Sequence, residues 1–178
     1  MIQNEIIETI ETIETICSRR SVRKYTADSV SDEAVLTMLE CARFAPSGLN
    51  NQPWRFIVVD DREIGRRLSE LTHYSDIVAS APLLIAVFLD TDASYNRDKD
   101  LMAIGASIQN ILLSAHSLGL GAVWLGEILK NKESVSKILN APGSFELTAV
   151  VAVGHLDESD PGTAERKALD EIVFKNKY

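Results

Sequence analysis

Residues 45–56 read Ala45-Pro46-Ser47-Gly48-Leu49-Asn50-Asn51-Gln52-Pro53-Trp54-Arg55-Phe56, between an apolar helical run from Val35 to Phe44 and a strand-like run, Phe56-Ile57-Val58-Val59. Proline cannot continue a helical ladder and restricts the residue before it, so Pro46 ends the helix. Gly48 is expected to supply a positive φ, and Pro53 to send the chain out extended. What remains is crowded with short hydrogen-bonding groups: Ser47, Asn50, Asn51 and Gln52. A plain connection needs few of them. The stretch reads either as a turn with polar filler or as a binding loop held between two regular elements.

Outward from this loop, Ser31 is a plausible N-cap with Asp32 and Glu33 in the first turn, and Val35, Leu36, Met38, Leu39 and Ala42 form the expected buried stripe of the helix. Further upstream, Ile6, Ile7, Ile10, Ile13 and Ile16 recur at helical spacing. That stripe faces either the core or a partner subunit. Between the two helices lies a basic segment, Arg19-Arg20-Ser21-Val22-Arg23-Lys24-Tyr25. If it is extended, Arg19, Ser21 and Arg23 share one face, with Arg20 and Val22 on the other. Two guanidinium groups flanking a hydroxyl suit a phosphate; an ordinary solvated charge cluster is the other reading.

Downstream, Ile64, Leu68 and Leu71 suggest a short helix, and another is possible near Asp76. Ala81 to Leu89 is apolar without alternation, as in a strand covered on both faces. Thr91 to Arg97 is a short polar loop, in which Tyr95 either lines a pocket or sits on the surface. Asp98 to Leu118 is the longest helical pattern and apolar on most sides, with Gly105, Ala106 and Ser107 thinning one face for close approach of another helix. Gly119 caps it. Gly121 to Leu125 reads as a strand entering a glycine turn at Gly126, Ser134 to Leu139 as a small helix, and Leu147 to Gly154 as a last strand.

At 178 residues the chain suits a single domain, 1–178, or one subunit of an oligomer. With 18 basic against 26 acidic side chains the net charge is −8, which disfavours a nucleic-acid partner. Cys17 and Cys41 form no C-x-x-C pair and suit idle thiols in a reducing compartment, and His73, His116 and His155 make no ligand set, so no metal is expected. No signal or membrane segment is read, and the expected location is cytoplasmic.

The basic segment, the Pro46–Trp54 loop and Gly119-Leu120-Gly121-Ala122-Val123-Trp124-Leu125-Gly126 occur in this order at family-like spacing. Together they resemble the signature of the FMN-dependent nitroreductase family: R-x-S, then P-S-x-x-N-x-Q-P-W, then G-L-G-x-x-W. The resemblance runs from about Ile10 to Val173. It implies an α+β fold with a central, mostly antiparallel sheet flanked by helices, in an intertwined homodimer with composite flavin sites. It implies cofactor-binding roles for Arg19, Arg20, Ser21, Arg23, Pro46, Ser47, Gly48, Asn50, Gln52, Leu125, Gly126 and Arg166. In the family, the first Arg and the Ser hold the phosphate and ribityl end, and the Pro46–Gln52 loop enters the partner's site. The position of Arg23 lies under the flavin pyrimidine, where a fixed charge stabilises the anion that forms on reduction. Backbone at Leu125 and Gly126 contacts the redox-active edge. Many members place a Lys two residues before the tail Arg; here Ala164 stands there, so the clamp relies on Arg19 and Arg166, with Lys167 either compensating or exposed. The region that holds a lid in longer members is short.

The residues show no nucleophile–base constellation and no G-x-G-x-x-G after a strand, which agrees with chemistry carried by a flavin rather than by side chains or a Rossmann site. Three readings follow. The first is an NAD(P)H-dependent, FMN-dependent oxidoreductase that reduces nitroaromatics, quinones or similar acceptors by a ping-pong route. The second is a related flavin enzyme with flavin-cleaving or dehalogenating chemistry. The third is an FMN-binding or storage protein without turnover.

Overall fold

The computed structural model describes residues 11–157, 159 and 165–177. A helical segment at residues 11–18 (α1) leads through the basic segment to α2, Asp32–Arg43. Then follow β1, Trp54–Val59; α3, Arg62–Ser69; α4, Ser75–Ser80; β2, Leu83–Asp90; and the long α5, Arg97–Ser117. The chain closes with β3, Leu120–Leu125; α6, Lys132–Ile138; and β4, Phe145–His155. Three short 3-10 turns intervene, at Gly48–Asn50, Glu127–Asn131 and Leu169–Glu171.

The strands form one sheet in the order β1-β2-β4-β3, and every neighbouring pair is antiparallel. Alternation distributes the side chains between two cores. Leu83, Ile85, Val87 and Leu89 of β2 face α2 and α5 with Ala149, Val151 and Val153 of β4. Leu84, Ala86 and Phe88 face the opposite side with Leu147, Val150 and Ala152, against Leu68 of α3, Val78 of α4 and Val135 of α6. A bulge after Val87 pairs Phe88 with Leu147 and leaves Thr148 as the extra residue, its hydroxyl donating to Val87 O at 2.8 Å. Because of it, Leu147 and Ala149 point to opposite cores. All eight residues of β2 are buried, so its apolar run follows from its central place, each large side chain contributing about 1.5–3 kcal/mol.

Local signals set the helix ends. The Ser31 hydroxyl accepts from Ala34 N at 3.2 Å and starts α2, Asn96 does the same for α5 through Lys99 N at 3.1 Å, and Gly119 leaves α5 at φ 74°. The stripe of α2 is narrower than expected: Met38 and Ala42 are buried, whereas Leu36 is 68% exposed. Trp124 packs 3.7 Å from where a Gly105 Cβ would lie, and α2 lies along α5, where Asn110 donates to Cys41 O at 2.9 Å. Of the N-terminal stripe, Ile6, Ile7 and Ile10 lie outside the described residues, and Ile13 and Ile16 are exposed. Cys17 is exposed and Cys41 half-buried. Among the described residues no helix is long and apolar enough to cross a membrane.

Candidate functional site

The basic segment docks along the free edge of β3. Ser21 bridges Ala122 in the parallel sense, Val22 N donates to Ala122 O at 3.1 Å, and Tyr25 bridges Leu156 beyond the end of β4. The Tyr25 hydroxyl bonds Val22 O at 2.6 Å and Ala152 O at 3.2 Å. Val22 is buried, and a Cβ on Gly121 would sit only 2.5 Å from its Cγ1. Gly121 is therefore required for the segment to lie this close to the strand.

With Val22 turned inward, Arg19, Arg20 and Ser21 are half-buried and Arg23 is exposed, its guanidinium donating to Ser21 O at 3.3 Å. The C-terminal tail returns to this place. Burial, and then the charge of Arg166, lower the pKa of Arg19 from its ordinary value. Among the described residues, neither Arg19 nor Arg166 has a carboxylate partner. Two like charges held together without a counter-charge cost free energy unless an anion joins them. Ala164 lies outside the described residues, and Lys167 is exposed.

Further along β3 comes the turn at Leu125–Gly126. The Leu125 side chain is buried, and a Cβ on Gly126 would meet nothing within 4 Å, so the backbone there faces open space. Glu127 fixes the turn from behind. Its carboxylate pairs with Lys130 and accepts from the Thr72 hydroxyl at 2.7 Å and from His73 N at 2.8 Å. Those bonds, Lys130 first, pull its pKa down from 4.5 to about 2. Asn131 ties the same turn to Leu71 O at 2.7 Å. The step from Ala122 to Gly126 is roughly 13 Å at the rise of a strand.

The Pro46–Gln52 loop is built differently from the expectation. Gly48 does not take a positive φ; Leu49, Asn50 and Gln52 do, at 55°, 55° and 46°. For a residue such as Leu49 that conformation costs about 1–2 kcal/mol. Gly48 instead lies under the Tyr95 ring, whose hydroxyl stands 1.9 Å from where a Gly48 Cβ would be. Tyr95 thus covers the loop rather than standing apart from it, with Lys99 5.5 Å from its ring centroid. The Ser47 hydroxyl accepts from Gln52 N at 3.1 Å, and Arg55, ion-paired with Asp90 at 2.6 Å, donates to Gln52 O at 3.1 Å. Asn51 donates to Ala93 O at 3.1 Å and to Asp100 at 2.8 Å. Asp100, fully buried, also accepts from the Ser94 hydroxyl and from Tyr95 and Asn96 N. Burial raises its pKa, but these bonds from Ser94, Asn51, Asn96 and Tyr95 outweigh it and hold the group ionised.

Within one chain the two halves are far apart. The loop leaves β1 where Trp54 faces Leu89, at the Glu146 end of β4, while Ser21 sits on Ala122, which faces Val153. That is four strand spacings across and about seven residues along the sheet, on the order of 30 Å. The structure gathers Arg19, Arg20, Ser21, Arg23 and Arg166 beside β3, with Leu125 and Gly126 at its far end. It places Pro46, Ser47, Gly48, Asn50 and Gln52 at the opposite edge. Sequence reasoning missed Asp100 and Glu127, because an acid in a first helical turn has an ordinary explanation as a dipole partner.

The family model of the Nitroreductase family matches residues 16–75 and 68–155. A provisionally named NADH dehydrogenase/NAD(P)H nitroreductase from Archaeoglobus fulgidus is 34% identical over 167 residues, 92% of this chain and 96% of that protein. An iodotyrosine deiodinase from Thermotoga neapolitana is 28% identical over 80% of this chain and 87% of its own. Among solved structures, a provisionally named nitroreductase in complex with FMN from Desulfovibrio desulfuricans superposes with a TM-score of 0.88 at 43% identity, covering 94% of this chain and 97% of that one. A sheet bordered by a basic segment, a glycine turn open to the surface and a matching family model across most of the length lead to one conclusion: the chain belongs to the nitroreductase family.

Proposed function

We propose that the chain, as a single domain, is an FMN-dependent oxidoreductase working in the cytoplasm as a homodimer with composite sites. The observation that carries this is the Arg19–Arg166 pair, two cations near enough to act on each other, without a carboxylate partner among the described residues, and set beside a strand whose other end opens at Gly126. A flavin mononucleotide suits it: Arg19 and Arg166 would hold its terminal phosphate, Ser21 its ribityl chain, and the backbone of Leu125 and Gly126 its ring. FMN, when bound, supplies the two-electron relay by which hydride passes from NAD(P)H to a nitroaromatic, a quinone or a similar electron-poor acceptor in a ping-pong sequence. The chain's part is to hold and bias it. Arg19, Arg20, Ser21 and Arg166 bind the phosphate end, and Arg23 sets a fixed positive charge beside the pyrimidine edge, where reduction adds negative charge.

The same geometry supports the homodimer. Pro46, Ser47, Gly48, Asn50 and Gln52 lie too far from Arg19 to complete the site within their own chain, so a second copy supplies them. Exposed apolar side chains agree: Leu36, Phe44, Leu49 and Met102 on the α2 and α5 side, and Leu169, Ile172, Val173 and Phe174 in the tail, are each more than half exposed. Exposed apolar side chains gathered in this way mark association surfaces.

Steady-state oxidation of NADH or NADPH with a quinone or nitroaromatic acceptor tests the proposal. Parallel double-reciprocal lines are expected, and flavin-loaded protein without turnover would leave only a binding role. Similarity to a deiodinase supports a second reading, reductive dehalogenation at the same flavin. It requires iodide release from a halogenated phenol under reducing conditions, faster than quinone reduction.

A further inference from the structure

We propose that Asp100 is a positioning residue for the flavin site of the second copy: its buried carboxylate locks the Pro46–Gln52 loop and the loop at residues 91–96 into one rigid platform that reaches across to that site. The assignment rests on the composite-site reading above and names the residue that makes the crossing loop precise.

The loop needs restraint from outside itself. Three of its residues hold positive φ, and none of them is glycine. Such a conformation persists only where the surroundings over-determine it. The Arg55 clamp on Gln52 O holds the loop's exit. Its middle is held by Asn51, whose amide nitrogen donates to Ala93 O and to one oxygen of Asp100. The other Asp100 oxygen gathers the second loop, accepting from the Ser94 hydroxyl at 2.6 Å, Tyr95 N at 3.1 Å and Asn96 N at 3.2 Å. Tyr95, its backbone held by that bond, lays its ring against Gly48 and closes the circuit. One carboxylate therefore bonds both loops, and a ring from one covers the other.

Two further facts show the network is organised around the charge of Asp100. The side chain is 0% exposed, and among the described residues no lysine or arginine pairs with it. Its charge is met only by these donors and by the first turn of α5. Asn51 orients its amide to serve this carboxylate and leaves its own carbonyl oxygen buried without a partner. Turning that amide over would set its oxygen against two acceptors, Ala93 O and the Asp100 carboxylate, so these two fix its orientation. The platform's tip, Leu49, is 87% exposed, so its rigidity serves something beyond the chain that builds it.

The test is complementation between two differently tagged full-length chains, one carrying Asp100→Asn and the other Arg19→Ala, purified as the mixed dimer. FMN binding is followed by flavin fluorescence. Each homodimer should bind FMN at least ten-fold more weakly than wild type. In the mixed dimer both defects fall in one site, so the other should bind with wild-type affinity, near one FMN per dimer. A general loss of structure would not be repaired in this way. Should Asp100→Asn fail to fold, Asn51→Ala replaces it, removing the loop's bond while leaving Asp100 its other donors, and the same restored site is expected. Wild-type affinity in the Asp100→Asn and Asn51→Ala homodimers overturns the assignment while the composite-site reading stands, whereas a mixed dimer as weak as its parents places each defect in the mutated chain's own site and overturns both. Wild-type protein that takes up no FMN overturns that reading and the assignment with it.

Discussion

Replacing Gly121 by alanine should damage the flavin site from inside the core. The new Cβ would sit 2.5 Å from Val22 Cγ1 and 2.7 Å from Val22 Cβ, about 0.9 Å inside the 3.4 Å at which ordinary contact begins. Val22 cannot simply swing aside, because it is buried and its backbone is held to Ala122 O. The segment carrying Arg19, Ser21 and Arg23 must lift from β3 instead. Overpacking of this kind costs about 1–3 kcal/mol, which for a chain of this size lowers the melting temperature by roughly 2–12 °C. A shift of nearly 1 Å exceeds the roughly 0.5 Å tolerance of a preorganised site, so at least one charge-assisted contact, about 1.5 kcal/mol, is lost and FMN affinity falls about ten-fold or more. Calorimetric melting of the apoprotein and titration with FMN measure the two effects. Gly143→Ala, where a Cβ meets nothing within 4 Å, is the control and should change stability by less than about 0.5 kcal/mol. Adding Val22→Ala should rescue Gly121→Ala only in part, since the Val22 Cβ remains. A Gly121→Ala protein that melts and binds FMN like wild type would refute the reasoning.

Arg19→Ala should weaken FMN binding by about 1.5–3 kcal/mol, roughly 10- to 150-fold, with little change in flavin potential, because the phosphate charge is the same in both redox states. Arg23→Ala should lower the potential and slow reduction by NADH in fully loaded enzyme; potentiometry and single-turnover kinetics separate the two, and an unchanged potential removes Arg23 from the pyrimidine edge. Glu127, with its pKa drawn from 4.5 to about 2, contributes stability that is complete above about 4.5 and disappears as pH falls toward 2. Melting curves across that window should therefore show a steeper acid loss for wild type than for Glu127→Gln, and identical slopes would contradict the anchoring of the Leu125–Gly126 turn.

Much of the fold was legible because single local causes dominate it. An unbroken apolar run marked the doubly covered β2, Ser31 marked the start of α2, and Gly119 the end of α5. Where an outcome depends on a partner distant in sequence, residue types were insufficient. Leu36 fits an apolar stripe, yet α2 meets α5 over a narrower arc and leaves it exposed. Gly48 suggested a turn conformation, yet its φ is not positive and the ring of Tyr95 lies over it. The motifs named the candidate binding residues, but their separation at opposite sheet edges depends on strand order, which no local pattern carries. Asp100 has the least local signal, since its acceptors' partners come from two loops.

The central claim is that this chain holds FMN and passes electrons through it from NAD(P)H. The most direct measurement is to purify the full chain, release its cofactor by heat for chromatography, and add NADH or NADPH to the intact protein under anaerobic conditions. The account predicts FMN near one per chain, bleached by a pyridine nucleotide and recoloured by a quinone. FAD, no flavin after reconstitution, or an FMN that neither nucleotide reduces would contradict it.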